Sequence, residues 1–293
     1  MIKHKGITLT ETLVVLFVLI FIFMALFFNS IFFFRKPPPP RIWCNSNLKG
    51  LGTAMIVYAR DYNDRYPQLP GTGPWSKELG FPYDMLEPDF SPGGEQADTP
   101  RTVTASWYLL VRYADVGPKS LICPQTRRKE FDWEYKLDLV ELWDFGPTPH
   151  KHVSYALHNP YGRFPASSHN PASFAVAADM NPWFKDGDIQ PPGPKNKSPQ
   201  VITLADPTTW PLGMSRLHAA RDPKKEFGQN VLYADGHAMY ELQPNTGVNN
   251  DNIYTVWSTD ENPTDQDKQG GAAPTGRTPE TDAKSEEDSF LVI

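Results

Sequence analysis

Two places in this chain bring reactive residue types close together in sequence. At the N-terminus a basic stretch, Lys3-His4-Lys5, runs into Gly6 and Ile7, and Glu11 stands at the mouth of an apolar run that reaches Phe34. A carboxylate in or beside hydrocarbon is costly, so its presence asks for a partner or a purpose. Farther along, Cys44 and Cys123 are the two cysteines of the chain. In an oxidising compartment such a pair is most simply a disulfide, the alternative being two separate buried thiols. His150, His152, His158, His169, His218 and His237, with Asp179 and Asp235, supply enough donor atoms to imagine a metal site. Their spacing matches no known ligand pattern: there is no H-E-x-x-H, no paired C-x-x-C, and no G-x-S-x-G, Walker or G-x-G-x-x-G loop. Asp179, Asp186, Asp188, Asp251 and Asp260 offer oxygen to a calcium ion, again without a calcium-loop spacing. The expectation is a chain that is not an enzyme and has no cofactor or metal of its own.

The elements that position these residues begin with a membrane-length helix. From Leu13 to Phe28 no side chain is polar, and after Asn29-Ser30 the run resumes through Ile31–Phe34. About 20 apolar residues cross a bilayer as a helix. A cleaved secretory signal has an apolar core of only about 7–15 residues and a small-residue cleavage site, whereas this run is longer and closes on Phe34-Arg35-Lys36. The sequence therefore predicts a retained anchor over 7–36, behind a leader of residues 1–6. Basic residues flank both ends (Lys3 and Lys5; Arg35, Lys36 and Arg41), so the positive-inside rule alone does not orient it. Pro37–Pro40 cannot continue a helix and predict a spacer over 37–41. Beyond it Leu48, Leu51, Met55, Tyr58 and Tyr62 recur at steps of three and four, the stripe of an amphipathic helix.

Gly6, an apolar residue after it and Glu11 at the fifth position past the break resemble the processing motif of type IV prepilins and of type II secretion pseudopilins. The resemblance implies cleavage between Gly6 and Ile7 by a prepilin peptidase, methylation of the new amine, and pairing of Glu11 with the amine of a neighbouring pilin-like subunit. A buried carboxylate is tolerable when a cation neutralises it, and each added subunit would bring one. Ile7 stands where the family usually has phenylalanine. The second helix, with Cys44, Asn47-Leu48-Lys49, Leu51-Gly52, Tyr58, Asp61 and Tyr66-Pro67, is similar to a large bacterial group of prepilin-type proteins that ends in an H-X9-DG segment. Leu121-Ile122-Cys123-Pro124, Ser154-Tyr155-Ala156, and Phe174 to Asp179 resemble further elements of that group. The closing element is His218 followed by Asn230 to His237, but sixteen residues separate His218 from Asp235, not nine. The implied location is a bacterial inner membrane, crossed once, with the domain on the periplasmic side.

For the domain at 42–257, Val231–Ala234 and Ala238–Leu242 flank Asp235-Gly236, a pair that favours a two-residue type I′ hairpin turn. Candidate strands lie at Ser154–Leu157, Phe174–Ala178 and Val201–Leu204, and Ser106–Tyr113 reads as a short helix. The fold class expected is α+β, with an antiparallel sheet packed on the amphipathic helix in a pilin-like layer arrangement. Given export, a Cys44–Cys123 bridge would close about eighty residues and contribute about 4–5 kcal/mol in chain-entropy terms.

The net charge of −6 is concentrated in residues 258–293, where nine acids face three bases. The neutral body argues against a basic stripe for nucleic acid. The acidic, Gly/Pro/Thr-rich tail predicts disorder, apart from Phe290–Ile293, which could dock on a groove or sheet edge. Eight tryptophans fill helix–sheet gaps or, in a rival reading, hold sugar or a partner protein. The function expected is a pseudopilin-like assembly component; the alternative is a membrane-tethered binding module that uses the same export signal.

Overall fold

The structure is a computed structural model in which residues 8–33, 39–133, 138–192, 199–218 and 227–293 are described. The chain divides into two units at Pro39/Pro40. Gly6, Ile7 and the leader lie outside the described residues, as do Pro37 and Pro38.

The first unit is one helix, α1 (Leu9–Phe33). Its stretch Leu9–Phe27 is 19 residues long, long and apolar enough to cross a membrane, and none of it is buried. Leu16, Phe17 and Phe23 all stand open to the surroundings.

The second unit opens with α2 (Pro40–Asp61). The proline spacer is thus shorter than the predicted 37–41, because Pro40 and Arg41 already belong to the helix. Proline is tolerated in a first turn, where its missing amide has no acceptor to serve. The inward stripe is Cys44, Leu48, Leu51, Gly52, Met55, Tyr58 and Ala59. The helix ends where Asn63 and Asp64 take left-handed φ of 54° and 60°, and the amide of Asp64 returns to the Ala59 carbonyl at 2.8 Å.

A parallel two-residue pair, β1 (Trp75–Ser76) and β2 (Arg101–Thr102), leads into α3 (Val103–Tyr113). Thr102 caps that helix by accepting from the Ala105 amide at 3.1 Å. The predicted short helix is therefore real and starts three residues earlier. Arg101 is fully buried, and its guanidinium donates to the carbonyls of Pro70, Gln96, Ala97 and Thr99, which satisfy it without an acid.

The main sheet has five antiparallel strands in the order β8–β7–β4–β3–β9, with β3 Tyr155–His158, β4 Ala175–Asp179, β7 Gln229–Tyr233, β8 Ala238–Glu241 and β9 Leu291–Val292. A small hairpin, β5 (Phe184–Lys185) with β6 (Asp188–Ile189), lies apart from it. Helix α2 packs across β7, β8 and β4. A Cβ at Gly52 would come within 2.5 Å of Leu232 Cδ1, so the missing side chain lets helix and sheet approach. The molecule is thus α+β with an antiparallel sheet.

Three expectations need correction. Val201–Leu204 is not a strand of the sheet; Thr203 makes only an isolated bridge to Asp206. The Asp235-Gly236 turn has three loop residues. The Gly236 amide donates to the Tyr233 carbonyl at 2.9 Å, the Tyr233 amide to the His237 carbonyl at 3.0 Å, and of the pair only Gly236 (φ 85°) is left-handed. That is a turn followed by one left-handed residue, for which a single glycine suffices.

The third correction is the largest. The tail 258–293 is folded into the domain. Asp282 accepts from Asn159 Nδ2 and the Arg163 amide, each at 3.0 Å, and Asp288 from the amides of Trp257 (3.1 Å) and Lys284 (2.7 Å). Val256 and Ala272 form a bridge. Phe290 to Ile293 are buried, and β9 pairs with β3 through Leu157↔Val292 and His158↔Leu291. Donors inside the fold offset part of the cost of burying these acids.

Candidate functional site

In the first unit, Thr8 precedes α1 and Glu11 sits in its first turn. The Thr8 amide and hydroxyl each donate to Glu11 Oε2 at 2.9 Å, and the Glu11 amide reaches Thr8 Oγ1 at 3.4 Å. This is a reciprocal capping box, which satisfies donors that a helix start otherwise leaves bare. Its sequence signal, T-x-x-E before an apolar run, is present at 8–11. Glu11 therefore has a role within its own helix start.

In the second unit four buried side chains converge. Cys44 lies on the second turn of α2, Cys123 comes after Ile122, which closes the 3₁₀ turn Pro118–Leu121, Asp179 ends β4, and His218 follows the Pro207–Leu212 turn and Met214-Ser215. The Thr126 amide and hydroxyl both donate to the Cys123 carbonyl (3.0 and 2.9 Å) and fix that corner. Sγ of Cys44, Sγ of Cys123 and a ring nitrogen of His218 all lie within 4.8 Å of one another. His218 Nε2 is 3.8 Å from Cys123 Sγ and 3.3 Å from Asp179 Oδ2. Asp179 Oδ2 also accepts from the amide and the Nδ2 of Asn230 (2.7 and 3.0 Å), and its second oxygen, Oδ1, is buried without a partner. Tyr254 anchors the strand end by donating to the Asp179 carbonyl at 2.7 Å.

The expected Cys44–Cys123 disulfide is not formed: both are free thiols, fully buried and side by side. The structure brings the pair together as expected, but His218 and Asp179 share the same space. The hydrogen bond from Cys44, with a further one from His218, draws the Cys123 thiol down to about 6 despite burial. Its partner moves the opposite way: that hydrogen bond and then burial push Cys44 up. Burial alone would lower His218, but its bonds to Asp179 and Cys123 outweigh this and raise it to about 9.

The remaining sequence candidates are dispersed. His158 is buried, with Nε2 against the Phe164 carbonyl at 2.8 Å and Nδ1 accepting from the Phe290 amide at 3.2 Å, so it holds the tail. His237 bonds the carboxylate of Asp235 and stacks on Tyr233. Asp188 pairs with Lys77 at 3.0 Å, while Asp251 accepts from Trp257 Nε1 and the Ser289 amide in the core. These acids do not assemble as calcium ligands. His150 and His152 line an open cavity of about 580 Å³ together with Arg127, Arg128, Lys151 and Lys185. Trp75, Trp107, Trp183 and Trp257 are buried and Trp43 is half exposed. Trp133, Trp143 and Trp210 are partly buried.

The sequence signals for Cys44, Cys123, Asp179 and His218 were each visible, but nothing in their spacing joins them. The sixteen-residue interval to Asp235 assigns His218 no role in the sequence; in the structure it meets Asp179 at the end of β4. No protein-family model matches the chain, and no curated protein or solved structure matches it either.

Proposed function

We propose that this chain is a prepilin-peptidase substrate and a structural component of a pilin-like or type II secretion-like assembly, anchored in a bacterial inner membrane with its domain in the periplasm. The observation that carries this reading is a single acid in the first turn of a helix whose membrane-length apolar surface is entirely open. Such a surface needs lipid or sister helices around it. The capping box fixes the carboxylate at the helix start, the level at which a neighbouring subunit's N-terminal amine would meet it. Gly6 and Ile7 then serve as the cleavage junction. The α2-on-sheet domain supports the same reading at the level of architecture. Partners are the peptidase, other pilin-like subunits and the inner membrane.

Glu11→Gln gives the discriminating experiment. Glutamine keeps the capping acceptor and removes only the charge. Mass spectrometry of membrane-extracted wild type is expected to find a chain starting at N-methylated Ile7. Crosslinks between neighbouring N-terminal helices should be present in wild type and lost in the glutamine variant. An intact Met1 in cells that contain the peptidase, or crosslinks unchanged by the substitution, would overturn the proposal.

A second reading, a tethered binding module, draws support from the cavity lined by Arg127, Arg128, Lys151 and Lys185, whose charge suits an anionic ligand better than the mostly buried tryptophans suit a sugar. Saturable binding of a polyanion by the full chain, abolished by Arg127→Glu with Lys151→Glu, would favour it.

A further inference from the structure

We infer that Cys44, Cys123 and His218 form a three-ligand site for a zinc-type divalent cation, a structural clamp joining α2, the Cys123 corner and the His218 segment. Two sulfurs and an imidazole nitrogen within 4.8 Å of one another are a soft, mixed donor set of the kind that selects zinc. The spacing is the second observation. With bonds of about 2.0–2.1 Å to nitrogen and about 2.3 Å to sulfur, a tetrahedral ion separates N from S by about 3.6 Å. The structure has 3.8 Å from His218 Nε2 to Cys123 Sγ.

Asp179 stands beside the imidazole, its Oδ2 3.3 Å from His218 Nε2, outside the set of three donors. Cys44 and Cys123 are fully buried and His218 is 8% exposed, which keeps the three donors away from bulk water. Asn230 holds the carboxylate in place through its amide and side chain. Binding forms two metal–sulfur bonds and one metal–nitrogen bond, and releases to solvent whatever protons the sulfurs and the ring nitrogen carry.

The test uses the full chain in detergent, reduced and stripped of metal, titrated with Co²⁺. One equivalent per chain is expected, with the visible bands of tetrahedral cobalt and a thiolate charge-transfer band that Zn²⁺ abolishes. Bound zinc should also protect both thiols from alkylation. Cys44→Ser and His218→Ala are each expected to weaken binding at least about tenfold. His218→Cys, which supplies a third sulfur, should keep the metal and strengthen the charge-transfer band, and it keeps the test meaningful if the serine variant does not fold. Cobalt spectra without a thiolate band, binding indifferent to Cys44, or a cell-derived chain whose two cysteines are joined with loss of two hydrogens would each overturn the inference.

Discussion

The helix α1 and the tail 258–293 are opposites in composition, and their burial is opposite to what composition alone suggests. The most apolar segment of the chain lies open along Leu9–Phe27, while the most acidic one contributes a strand and several buried side chains to the domain. The difference lies in where each finds partners. In α1 the backbone is satisfied within the helix, and the side chains are of the kind that an apolar environment such as a bilayer accommodates. The tail brings carboxylates inside, and each of Asp282 and Asp288 is met by donors already fixed in the fold. Satisfied hydrogen bonds decide burial at least as much as hydropathy does.

The comparison breaks most visibly if the same substitution has the same effect in both regions. Phe290 is fully buried in the tail and Phe17 is 71% exposed in α1. Phe290→Ala should destabilise the domain by about 3–5 kcal/mol through lost burial and a residual cavity. Phe17→Ala should leave the domain's urea midpoint within about 0.5 kcal/mol of wild type. Urea unfolding of both variants, followed by tryptophan fluorescence, decides the matter. A shift below about 1 kcal/mol for Phe290→Ala would return the tail to the disordered state its composition suggests.

A smaller effect sharpens the same contrast through pH. Burial pushes the Asp288 carboxyl up to about 7, and burial with repulsion from Asp288 raises Asp251 well above the usual carboxylate range. The folded state therefore binds more protons than the unfolded chain over this window. The stabilisation is complete below about pH 4 and fades as pH rises through about 7, with a slope of up to about 1.4 kcal/mol per pH unit for each such carboxyl. Urea midpoints measured from pH 4 to pH 8 should fall, and Asp288→Asn should flatten the curve and raise the midpoint at pH 8. A wild-type curve that climbs over this range would mean that the tail acids are not buried.

What the sequence disclosed, and what it withheld, follows from the same physics. Helix α1 was legible from its length of apolar residues, α2 from Leu48, Leu51, Met55 and Tyr58, and the β7–β8 hairpin from Asp235-Gly236 between alternating strands. These are local signals. The tail was misread because donors such as Asn159 Nδ2 and the Trp257 amide are distant in sequence from the acids they meet. The buried centre was half legible. Two cysteines read as a pair implied adjacency, and adjacency is observed, but His218 reaches Cys123 across 95 residues. Asp179 and Asn230 are a further strand pairing away.

The smallest predicted effect bears on the largest functional question, which is what Glu11 does. Thr8→Ala removes one half of the capping box and should cost the start of α1 about 1 kcal/mol, read as roughly fivefold faster amide exchange over residues 9–12 in detergent. Thr8→Ser keeps the hydroxyl and should restore slow exchange. Because the alanine variant retains the Glu11 charge, pairing with a neighbouring amine predicts that helix–helix crosslinking survives it, although Glu11→Gln abolishes it. If Thr8→Ala is as damaging to crosslinking as Glu11→Gln, the carboxylate works by shaping its own helix, and α1 is only an anchor. The open apolar surface of Leu9–Phe27 then needs nothing beyond lipid, and the contrast with the tail reduces to one between two solvents.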